Sequence, residues 1–211
     1  METAYADFLA EFISESDAIE GIRNNLEQLR SDIVRKRKTG HVGALLALIE
    51  FARNGVILDD TMICRAQSLI VSEQHEKPGG PFLSKEYRGV YRRVNVSISG
   101  RVCMPPAHVS LAIQDLVQKV QAWQRNSNLR AVLDTIHLIA DFHFDFERIH
   151  PFVDGNGRTG RALVFYLFHF IGFKPFIFTS ADRYATYYRC FDDRIRMREY
   201  FCRKKGITNL P

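Results

Sequence analysis

The stretch His150-Pro-Phe-Val-Asp-Gly-Asn-Gly-Arg-Thr-Gly-Arg161 combines an imidazole, a carboxylate, an amide, three glycines and two guanidinium groups in twelve residues. It stands directly before a strongly apolar segment, Ala162 to Phe173. Such a density of charge beside glycine backbone is not expected of a packed core, in which charged residues are rare. The stretch therefore predicts a pocket for a polyanion with a base beside it.

The glycines of this stretch predict where the anion would bind. Gly155, Asn156 and Gly157 precede the apolar run, which indicates that they form the N-terminus of a helix. The N–H groups at such an end lack partners within the helix, and the helix dipole is positive there. Arg158 and Arg161 are three residues apart in the first turn, so both can reach one side and bind phosphate oxygens. The alternative is that the two arginines merely face water.

His150 and Asp154 supply the groups that suit acid–base and metal chemistry. A neutral imidazole just ahead of an anion site can take a proton from a hydroxyl group, although a single histidine is more often structural. Three interpretations of Asp154 remain open: a helix cap, an ion pair with an arginine, or a ligand that holds Mg²⁺ against phosphates. A transition-metal site formed with His143 is a weaker alternative. Phe152 is expected to anchor the loop in the core.

No second nucleotide-binding motif accompanies this stretch. The sequence contains neither a GxxxxGK[ST] motif nor a strand-linked GxGxxG motif. Phosphate chemistry must therefore take place at residues 150–161 or not at all.

The composition is that of one ordinary globular domain. The chain has 211 residues, of which 46% are hydrophobic and 25% are charged. A net charge of +5 allows binding to nucleic acid. However, the basic runs 35–38 and 203–205 are short, which is more typical of solvated helix faces and ends. Nucleic acid is therefore not the expected partner.

The sequence also predicts the compartment. The four cysteines form no CxxC pair and no dense framework, which favours a reducing environment. The N-terminus has no basic region followed by an apolar one, as a signal peptide would have. The longest apolar run is interrupted by His169 and falls short of the roughly 18 residues of a membrane span. It predicts a buried core helix instead, which Gly172 can terminate. We therefore expect a cytoplasmic protein with no membrane partner.

Hydrophobic periodicity predicts a largely helical chain. Apolar residues at three- and four-residue steps predict one long amphipathic helix over residues 5–34. Only residues 94–103 have strand character, because apolar and polar residues alternate on the N-terminal side of the Ser99-Gly100 turn. One hairpin has little use as a sheet core, so its open edge is free to pair with a partner. Further helices are predicted over 42–53, 60–73, 110–124, 129–149, 156–171 and, as one helix or a pair, 180–202. The predicted fold class is all-α with one β-hairpin.

The 150–161 stretch matches every fixed position of the signature of the Fic family: His-Pro-Phe, any residue, Asp or Glu, Gly-Asn-Gly-Arg, two residues, Arg. A looser similarity extends over about residues 40–200 and includes the Tyr-Arg-Gly-Val-Tyr-Arg stretch that begins at Tyr87. The resemblance implies a single Fic domain over residues 1–211, folded as the helical bundle of that family with a hairpin flap. Its catalytic helical core would span residues 108–202.

Proteins of this family mostly transfer AMP from ATP to a side-chain hydroxyl of a target protein. The resemblance implies that His150 is the general base on a target Ser, Thr or Tyr. Asp154 would hold Mg²⁺ on the α- and β-phosphates. Residues 156–158 would form the anion hole, and Arg161 would meet the γ-phosphate.

Two further elements are implied by the same resemblance. The hairpin over 94–103 would be a flap that binds the backbone of the target by strand addition. Tyr187 and Tyr188 resemble the aromatic pair that lines the nucleoside pocket of the family. The Doc-like kinases of the superfamily have lysine where this chain has Gly157, which favours nucleotidyl transfer over phosphorylation.

A second resemblance lies near the N-terminus. The stretch from Ser16 through Glu20 to Gly21 matches the inhibitory motif of the family: Ser or Thr, three residues, Glu, then Gly or Asn. Ser16 and Glu20 are four residues apart, so they share one helical face. Gly21 within a helix costs about 1 kcal/mol relative to alanine, which predicts the close approach of another backbone. In the family this glutamate pairs with the second motif arginine, here Arg161, and blocks productive γ-phosphate binding. The alternative is a chance surface serine and glutamate.

The two motifs together predict an autoinhibited protein adenylyltransferase that depends on Mg²⁺ and ATP and releases pyrophosphate. Removal of AMP from a target, or use of another nucleotide donor, remains open. A non-enzymatic module that binds a peptide at the hairpin edge, or nucleic acid on its basic surface, is a third alternative. The presence of His150, Asp154 and Arg161 argues against it. A homo-oligomer is compatible with the sequence.

Overall fold

A computed structural model of the chain describes residues 3–98, 100–126 and 131–207. Within these ranges the chain forms eight α-helices and one two-stranded hairpin, which confirms the predicted all-α class. The helices are α1 Thr3–Ile19, α2 Leu26–Val34, α3 Gly40–Arg53, α4 Asp60–Ser72, α5 Pro106–Gln124, α6 Val132–Ile149, α7 Asn156–Phe170 and α8 Arg194–Lys204. The strands are β1 Ser97–Ile98 and β2 Arg101–Val102.

Helix α7 lies in the middle of the bundle, where it packs against α1, α3, α4 and α6. Every residue from Thr159 to Phe168 is buried. A helix that is apolar on all sides is expected to be enclosed by others, so the predicted buried core helix is confirmed. Gly172, with φ +74°, follows its end, as predicted. The N-terminus of α7, which carries the glycines and arginines of the motif, therefore lies inside the protein.

The single helix predicted over residues 5–34 is wrong, because the chain forms α1 and α2 with a turn between them. Gly21 has φ +81°, a conformation that only glycine adopts without strain. Its N–H donates to the carbonyl of Ala18 at 3.0 Å, and the N–H of Ile22 donates to that of Asp17 at 3.0 Å. This pair of bonds is the Schellman motif that ends a helix. Gly21 therefore terminates α1 and does not lie within a helix.

The close backbone approach predicted at Gly21 occurs at a different glycine. A Cβ added to Gly21 would meet no atom of the described residues within 4 Å. A Cβ added to Gly79 would instead collide with the carbonyl oxygen of Gly21. The N–H of Arg23 also donates to the carbonyl of Pro78 at 2.9 Å. The turn after α1 is thus fixed against the loop that follows α4.

The hairpin is shorter than the predicted 94–103 segment. Its strands contain two residues each and are antiparallel, and the N–H of Cys103 adds one bond of 3.0 Å to the carbonyl of Val96. Gly100 has φ +80°, as a tight turn requires, whereas Ser99 lies outside the described residues. The paired residues are Ser97 with Val102 and Ile98 with Arg101.

The remaining helix boundaries differ from the predictions at their ends. Helix α5 begins at Pro106 because proline suits the first turn, where no N–H partner is needed. The start predicted for α6, Leu129, lies outside the described residues. The segment 180–202 is not one continuous helix, because a π-helical turn, Arg183–Tyr187, and a 3-10 helical turn, Tyr188–Asp192, precede α8. The extended Asp193 begins α8, and its side chain accepts a hydrogen bond of 2.9 Å from the N–H of Ile195.

The four cysteines, all in described parts of the chain, are free thiols. Cys190 and Cys202 are buried, whereas Cys64 and Cys103 are partly buried. Across the described ranges, none of the helices combines the length and the apolar character that a membrane span requires.

Candidate active site

His150 ends α6 in the left-handed conformation, with φ 51° and ψ 64°. Residues other than glycine seldom adopt this conformation. Its N–H donates to the carbonyl of Phe146 at 2.9 Å, which closes the last turn. Burial lowers the pKa of His150 to about 4, so the ring is neutral near pH 7. A neutral imidazole at this place can accept a proton.

Arg92 joins the end of α6 to the base of the hairpin. The side chain is buried and donates to the carbonyl of His150 at 2.7 Å and to that of Ile149 at 3.1 Å. It also donates to the carbonyls of Val94 and Met104, at 3.0 and 2.5 Å, on the two sides of the hairpin. This role of Arg92 was not predicted from the sequence, because the contacts join segments up to 58 residues apart.

Asp154 follows His150 in the loop, and about a third of its side chain is exposed. Its Oδ1 accepts from the N–H of Gly155 at 2.6 Å, and its Oδ2 accepts from Nε2 of Gln74 at 2.7 Å. Each carboxylate oxygen has two lone pairs, so acceptor capacity remains for a cation. In the described parts of the chain, no three His, Cys, Asp or Glu side chains form a metal cluster. The residues present therefore fit a Mg²⁺ ion held by one carboxylate and by substrate phosphates.

Two buried glutamines support this carboxylate. Oε1 of Gln74 accepts from Nη2 of Arg158 at 2.6 Å, so Gln74 bridges Arg158 and Asp154. Nε2 of Gln67 donates to the carbonyl of Asp154 at 2.9 Å, and its Oε1 accepts from the N–H of Gly89. Neither glutamine was identified from the sequence, because a lone glutamine in or beside a helix gives no signal of burial.

Asn156 and Phe152 hold the shape of the loop. Oδ1 of Asn156 accepts from the N–H of Phe152 at 2.8 Å, and its Nδ2 donates to the carbonyl of Phe152 at 2.9 Å. The ring of Phe152 is buried, which confirms that it anchors the loop. The side chain of Asn156 is thus committed to the backbone, which leaves the N–H groups at the start of α7 to face an anion.

Arg161 is buried and contacts the end of α1. Its Nε donates to Oγ of Ser16 at 3.0 Å, and its Nη2 donates to the carbonyl of Ser16 at 2.8 Å. Nη2 also pairs with Oε1 of Glu20 at 2.8 Å. The structure therefore brings together the serine and glutamate of the N-terminal motif and the second arginine of the 150–161 motif.

The two motif arginines bind different partners. Arg158 contacts Gln74 and Asp154, whereas Arg161 contacts Ser16 and Glu20. That both arginines reach one anion stays a prediction, since in this arrangement their guanidinium groups contact protein side chains. Among the described residues, the buried Nε of Arg158 has no acceptor.

Gly157 is needed because two side chains crowd it. A Cβ added there would collide with Oε1 of Glu20 and would lie 2.9 Å from Nη1 of Arg161. Gly157 at the start of α7, Glu20 directly after α1 and Arg161 one turn further along α7 are therefore in direct contact.

Tyr187 and Tyr188 both line the larger of two cavities at this site, but they differ in burial. Tyr187 is buried and its hydroxyl lies 2.7 Å from Nε2 of His143 and 3.5 Å from Nη1 of Arg161. Tyr188 is partly exposed. His143 is committed to Tyr187 and lies among aromatic rings, so the alternative metal site of His143, His150 and Asp154 is wrong.

The segment that carries these tyrosines also holds the end of α1. Nη1 of Arg183 donates to the carbonyl of Ile19 at 2.7 Å and to that of Ala18 at 3.3 Å. The hydroxyl of Tyr188 donates to the carbonyl of Ile19 at 3.4 Å. A cation at the C-terminal end of a helix is favourable for the dipole. Arg183 was not identified from the sequence.

Two cavities meet at this point. The larger has a volume of about 1000 Å³ and extends from Glu20 past the hairpin to α5 and α8. The smaller, of about 90 Å³, is lined by residues 153–158 together with Glu20 and His150. Glu20, His150 and Gly157 line both cavities. Glu20 thus stands where the cleft passes into the loop at the start of α7.

Comparison with known proteins identifies the family. Residues 57–168, more than half of the chain, match the Fic/DOC family. Protein adenylyltransferase Fic of Drosophila virilis is 38% identical over 100 residues, which are 47% of this chain and 20% of that protein. The protein of the same name from Drosophila melanogaster is 36% identical over 100 residues, which are 47% of this chain and 19% of that protein. The aligned part thus spans about a fifth of these curated relatives.

Two solved structures share the fold. A Fic domain containing signaling protein from Bacteroides thetaiotaomicron has a TM-score of 0.73 and 19% identity, covering 98% of this chain and 91% of that one. Fic-1 of C. elegans, residues 134–508, has a TM-score of 0.69 and 22% identity, covering 95% of this chain and 61% of that one. Since the family match includes the 150–161 motif around which the site is built, this chain belongs to the Fic/DOC family.

Proposed function

We propose that this chain is an autoinhibited protein adenylyltransferase, which transfers AMP from ATP to a hydroxyl group of a target protein. The contact between Glu20 and Arg161 carries the proposal, because it joins the two motifs in one cavity. The relatives named protein adenylyltransferase Fic support the reaction.

The start of α7 is the binding site for the phosphates in this proposal. The first N–H groups of a helix are unpaired and face its positive end. Arg158 retains a buried Nε without an acceptor in the described chain, and Arg161 lies one turn further along. Tyr188 and the buried Tyr187 line the larger cavity and supply an aromatic wall for the base of the nucleotide.

His150 acts as the general base. Its ring is neutral near pH 7 and takes the proton of the target hydroxyl as the hydroxyl oxygen attacks the α-phosphorus. A bond forms between that oxygen and phosphorus, and the bond from phosphorus to the oxygen that bridges to the β-phosphate breaks. Pyrophosphate leaves with the electron pair of that bond. The chain contributes position and positive charge, which is the main requirement of phosphoryl chemistry.

Asp154 is the residue that would hold Mg²⁺. Bound there, the ion would neutralise charge on the phosphate oxygens. Gln74 and the N–H of Gly155 keep the carboxylate oriented whether or not an ion is present. Gln74 also keeps Arg158 beside it, so the carboxylate and the guanidinium stay on the same side of the loop.

Glu20 inhibits the reaction by occupying Arg161. Ser16 and Glu20 use both Nε and Nη2 of the guanidinium, so these donors cannot meet the γ-phosphate. The carboxylate of Glu20 also places negative charge in the cavity that would receive the phosphates, which repels them. Arg183 and the hydrogen bonds around Asp17 keep the end of α1 in this position.

The hairpin is the site for the target in this proposal. Ile98 and Val102 line the larger cavity, and both are exposed. The two strands leave edges free for a third strand from another protein. Arg92 joins the ends of the hairpin to the carbonyl of His150. A strand added to the hairpin would therefore lie beside His150, the proposed general base.

The test is labelling of a cell lysate with ATP that carries the label on either the α- or the γ-phosphate. We expect little labelling by the wild type and strong labelling from the α-position alone by Glu20→Gly. The double variant Glu20→Gly/His150→Ala should label nothing. Glu11→Gly, which changes an exposed glutamate on α1, the helix that ends just before Glu20, is the control and should behave as the wild type. Label from the γ-position, or labelling that survives His150→Ala, would overturn the proposal.

A further inference from the structure

Glu147 is a buried acid one turn before His150 on α6. Its side chain is only 10% exposed, and it lines the larger cavity. Within the described ranges its Oε1 has no hydrogen-bond partner. Polar groups left unpaired inside a protein cost about 1–3 kcal/mol, so such an exception calls for an explanation.

The nearest group that needs this carboxyl is the ring of His150. Nδ1 of His150 is also buried and makes no hydrogen bond of ordinary geometry with the described residues. Burial lowers the pKa of the ring, and a longer contact with the backbone of Glu147 raises it, so the backbone carbonyl of Glu147 is the competing acceptor for this nitrogen. Nδ1 lies 3.9 Å from Oε2 of Glu147, beyond hydrogen-bond range but within reach of a side-chain rotation. One bond between these atoms would satisfy the nitrogen and engage the acid.

The surroundings of Glu147 are shaped to accept a carboxyl group. A Cβ added to Gly160 would collide with Oε1 of Glu147, so the absence of a side chain there makes room for the acid. The pKa of Glu147 is raised to about 8. Burial is the main cause, the charge of Arg161 partly offsets it, and the charge of Glu20 adds to it. The side chain of Glu147 therefore keeps an acceptor oxygen beside the ring of His150 whether it is ionised or neutral, because a neutral carboxyl group retains its carbonyl oxygen.

The position of the proton on the ring decides whether His150 can act as a base. A neutral imidazole carries one proton, on either Nδ1 or Nε2, and only the other nitrogen can accept another. Nδ1 is enclosed, whereas a target would approach from the cleft that His150 lines. Productive chemistry therefore requires the proton on Nδ1, and that N–H requires an acceptor.

We propose that Glu147 is a positioning residue for His150, which accepts a hydrogen bond from Nδ1–H and thereby leaves Nε2 to take the proton of the target hydroxyl. The role of Nε2 rests on the proposed function, but the hydrogen bond to Nδ1 does not. Glu147 touches neither the nucleotide nor the hydroxyl group in this scheme. It acts through the tautomer and orientation of the ring, in the manner of a carboxylate that orients a catalytic histidine.

The first test reads the ring directly. The full-length chain, with ¹⁵N-labelled histidine, is examined by NMR near pH 7 as the wild type, Glu147→Gln and Glu147→Leu. Gln and Leu have similar volumes, but only Gln keeps an acceptor oxygen. We expect His150 to be protonated on Nδ1 in the wild type and in Glu147→Gln, and to become a mixture of tautomers in Glu147→Leu. Asp134→Asn, an exposed acid on the same helix, should not change the spectrum of His150.

The second test measures AMP transfer in the Glu20→Gly background. Glu147→Leu should lower kcat by about tenfold or more, while the KM for ATP stays within about twofold. Glu147→Gln should restore most of kcat. An unchanged tautomer in Glu147→Leu would overturn the inference whatever the activity. If no variant transfers AMP but the tautomer shifts as expected, the proposed function fails and the hydrogen bond between Glu147 and His150 stands.

Discussion

The carboxylate of Asp17 accepts a hydrogen bond of 2.8 Å from Nδ1 of His41, and the two side chains are only 2% and 1% exposed. Its other oxygen accepts from Lys77 and from Asn24, each at 2.9 Å. Although burial alone would raise it, the pKa of Asp17 lies far below its usual value because His41 first, and then the charges of Lys77 and Arg158, stabilise the carboxylate. Asp17 directly follows the serine that contacts Arg161. The network thus holds the end of α1, and with it the contact of Ser16 and Glu20 with Arg161, against α3 and the loop after α4.

Asp17→Asn should therefore weaken both the fold and the inhibition. Loss of one member of a buried ionic network costs about 3–5 kcal/mol, so we expect a fall of about that size in the free energy of unfolding in urea. Labelling from α-labelled ATP should rise toward that of Glu20→Gly. The control is Asp7→Asn, which removes an exposed ion pair with Arg30 on the same helix and should cost at most about 1 kcal/mol. Unchanged labelling by a folded Asp17→Asn would contradict this account.

The response of stability to pH depends on His150. Since burial lowers its pKa to about 4, the unfolded chain holds a proton on this ring between about pH 6.5 and 4 that the folded chain lacks. The contribution of His150 to the free energy of unfolding therefore falls as the pH falls through this window, by about 1.4 kcal/mol per pH unit. Glu147, whose burial raises its pKa to about 8, acts in the opposite direction between about pH 8 and 4.5.

The contribution of His150 is therefore measured as the difference in pH dependence of unfolding between the wild type and a variant without this ring. Urea unfolding of the wild type and of His150→Asn is compared from about pH 6.5 to about pH 4.5, because Asn tolerates the left-handed conformation. The wild type should lose stability more steeply, by about 1.4 kcal/mol per pH unit. His108→Asn, at an exposed position, should leave the slope of the wild type unchanged. Parallel slopes for the wild type and His150→Asn would show that the ring is protonated in the folded chain.

Arg183 should influence activity through α1. Its two hydrogen bonds to Ala18 and Ile19 support the end of the helix, and bonds from a charged donor are worth about 1.5–3 kcal/mol. Arg183→Ala should therefore raise AMP transfer by about tenfold over the wild type. Added to Glu20→Gly, the same change should produce no further increase, because the residue acts through Glu20. Arg189→Ala, an exposed neighbour, is the control and should have no effect. A further increase in the double variant would contradict this route.

Gln74 should affect the binding of ATP. Gln74→Leu removes the bridge between Asp154 and Arg158 and leaves the buried guanidinium with only its 3.5 Å contact to Asp154, at a cost of about 1–3 kcal/mol in stability. In the Glu20→Gly background the KM for ATP should rise by about tenfold, since both groups belong to the proposed phosphate site. Gln121→Leu, which breaks a bond of 2.9 Å to the carbonyl of Leu58, should lower stability without changing KM. Equal KM values in the two variants would exclude a role for the bridge.

The sequence predicted those features whose causes are local. The glycines before the apolar run predicted the N-terminus of α7, and Gly172 predicted its end within two residues. Gly21 shows where local reasoning failed. Glycine is unfavourable within a helix and favourable just after one, and the periodicity of neighbouring residues did not distinguish the two. Burial of Ile22, whose N–H donates to the carbonyl of Asp17, stabilises the chain in the conformation that ends α1.

In the candidate site, too, the residues of the local motif were predicted and their distant partners were not. His150, Asp154 and the arginines were found because they lie within twelve residues of each other. The groups that hold them are distant in sequence: Gln67 is 87 residues from Asp154, and Arg92 is 58 residues from His150. Each is a single polar residue whose burial is decided by the packing of helices. The pairing of Glu20 with Arg161, across 141 residues, was predicted only through a family resemblance.

The left-handed backbone of His150 has a consequence for any effort to make this protein more robust. The conformation costs a residue with a side chain on the order of 1–3 kcal/mol, whereas glycine adopts it freely. His150→Gly would therefore resist heat and urea at least as well as the wild type, but it would lack the imidazole that we propose as the general base. Selection of variants for thermostability alone would thus favour loss of the proposed base at this position. Stability and the proposed activity thus favour different amino acids at position 150.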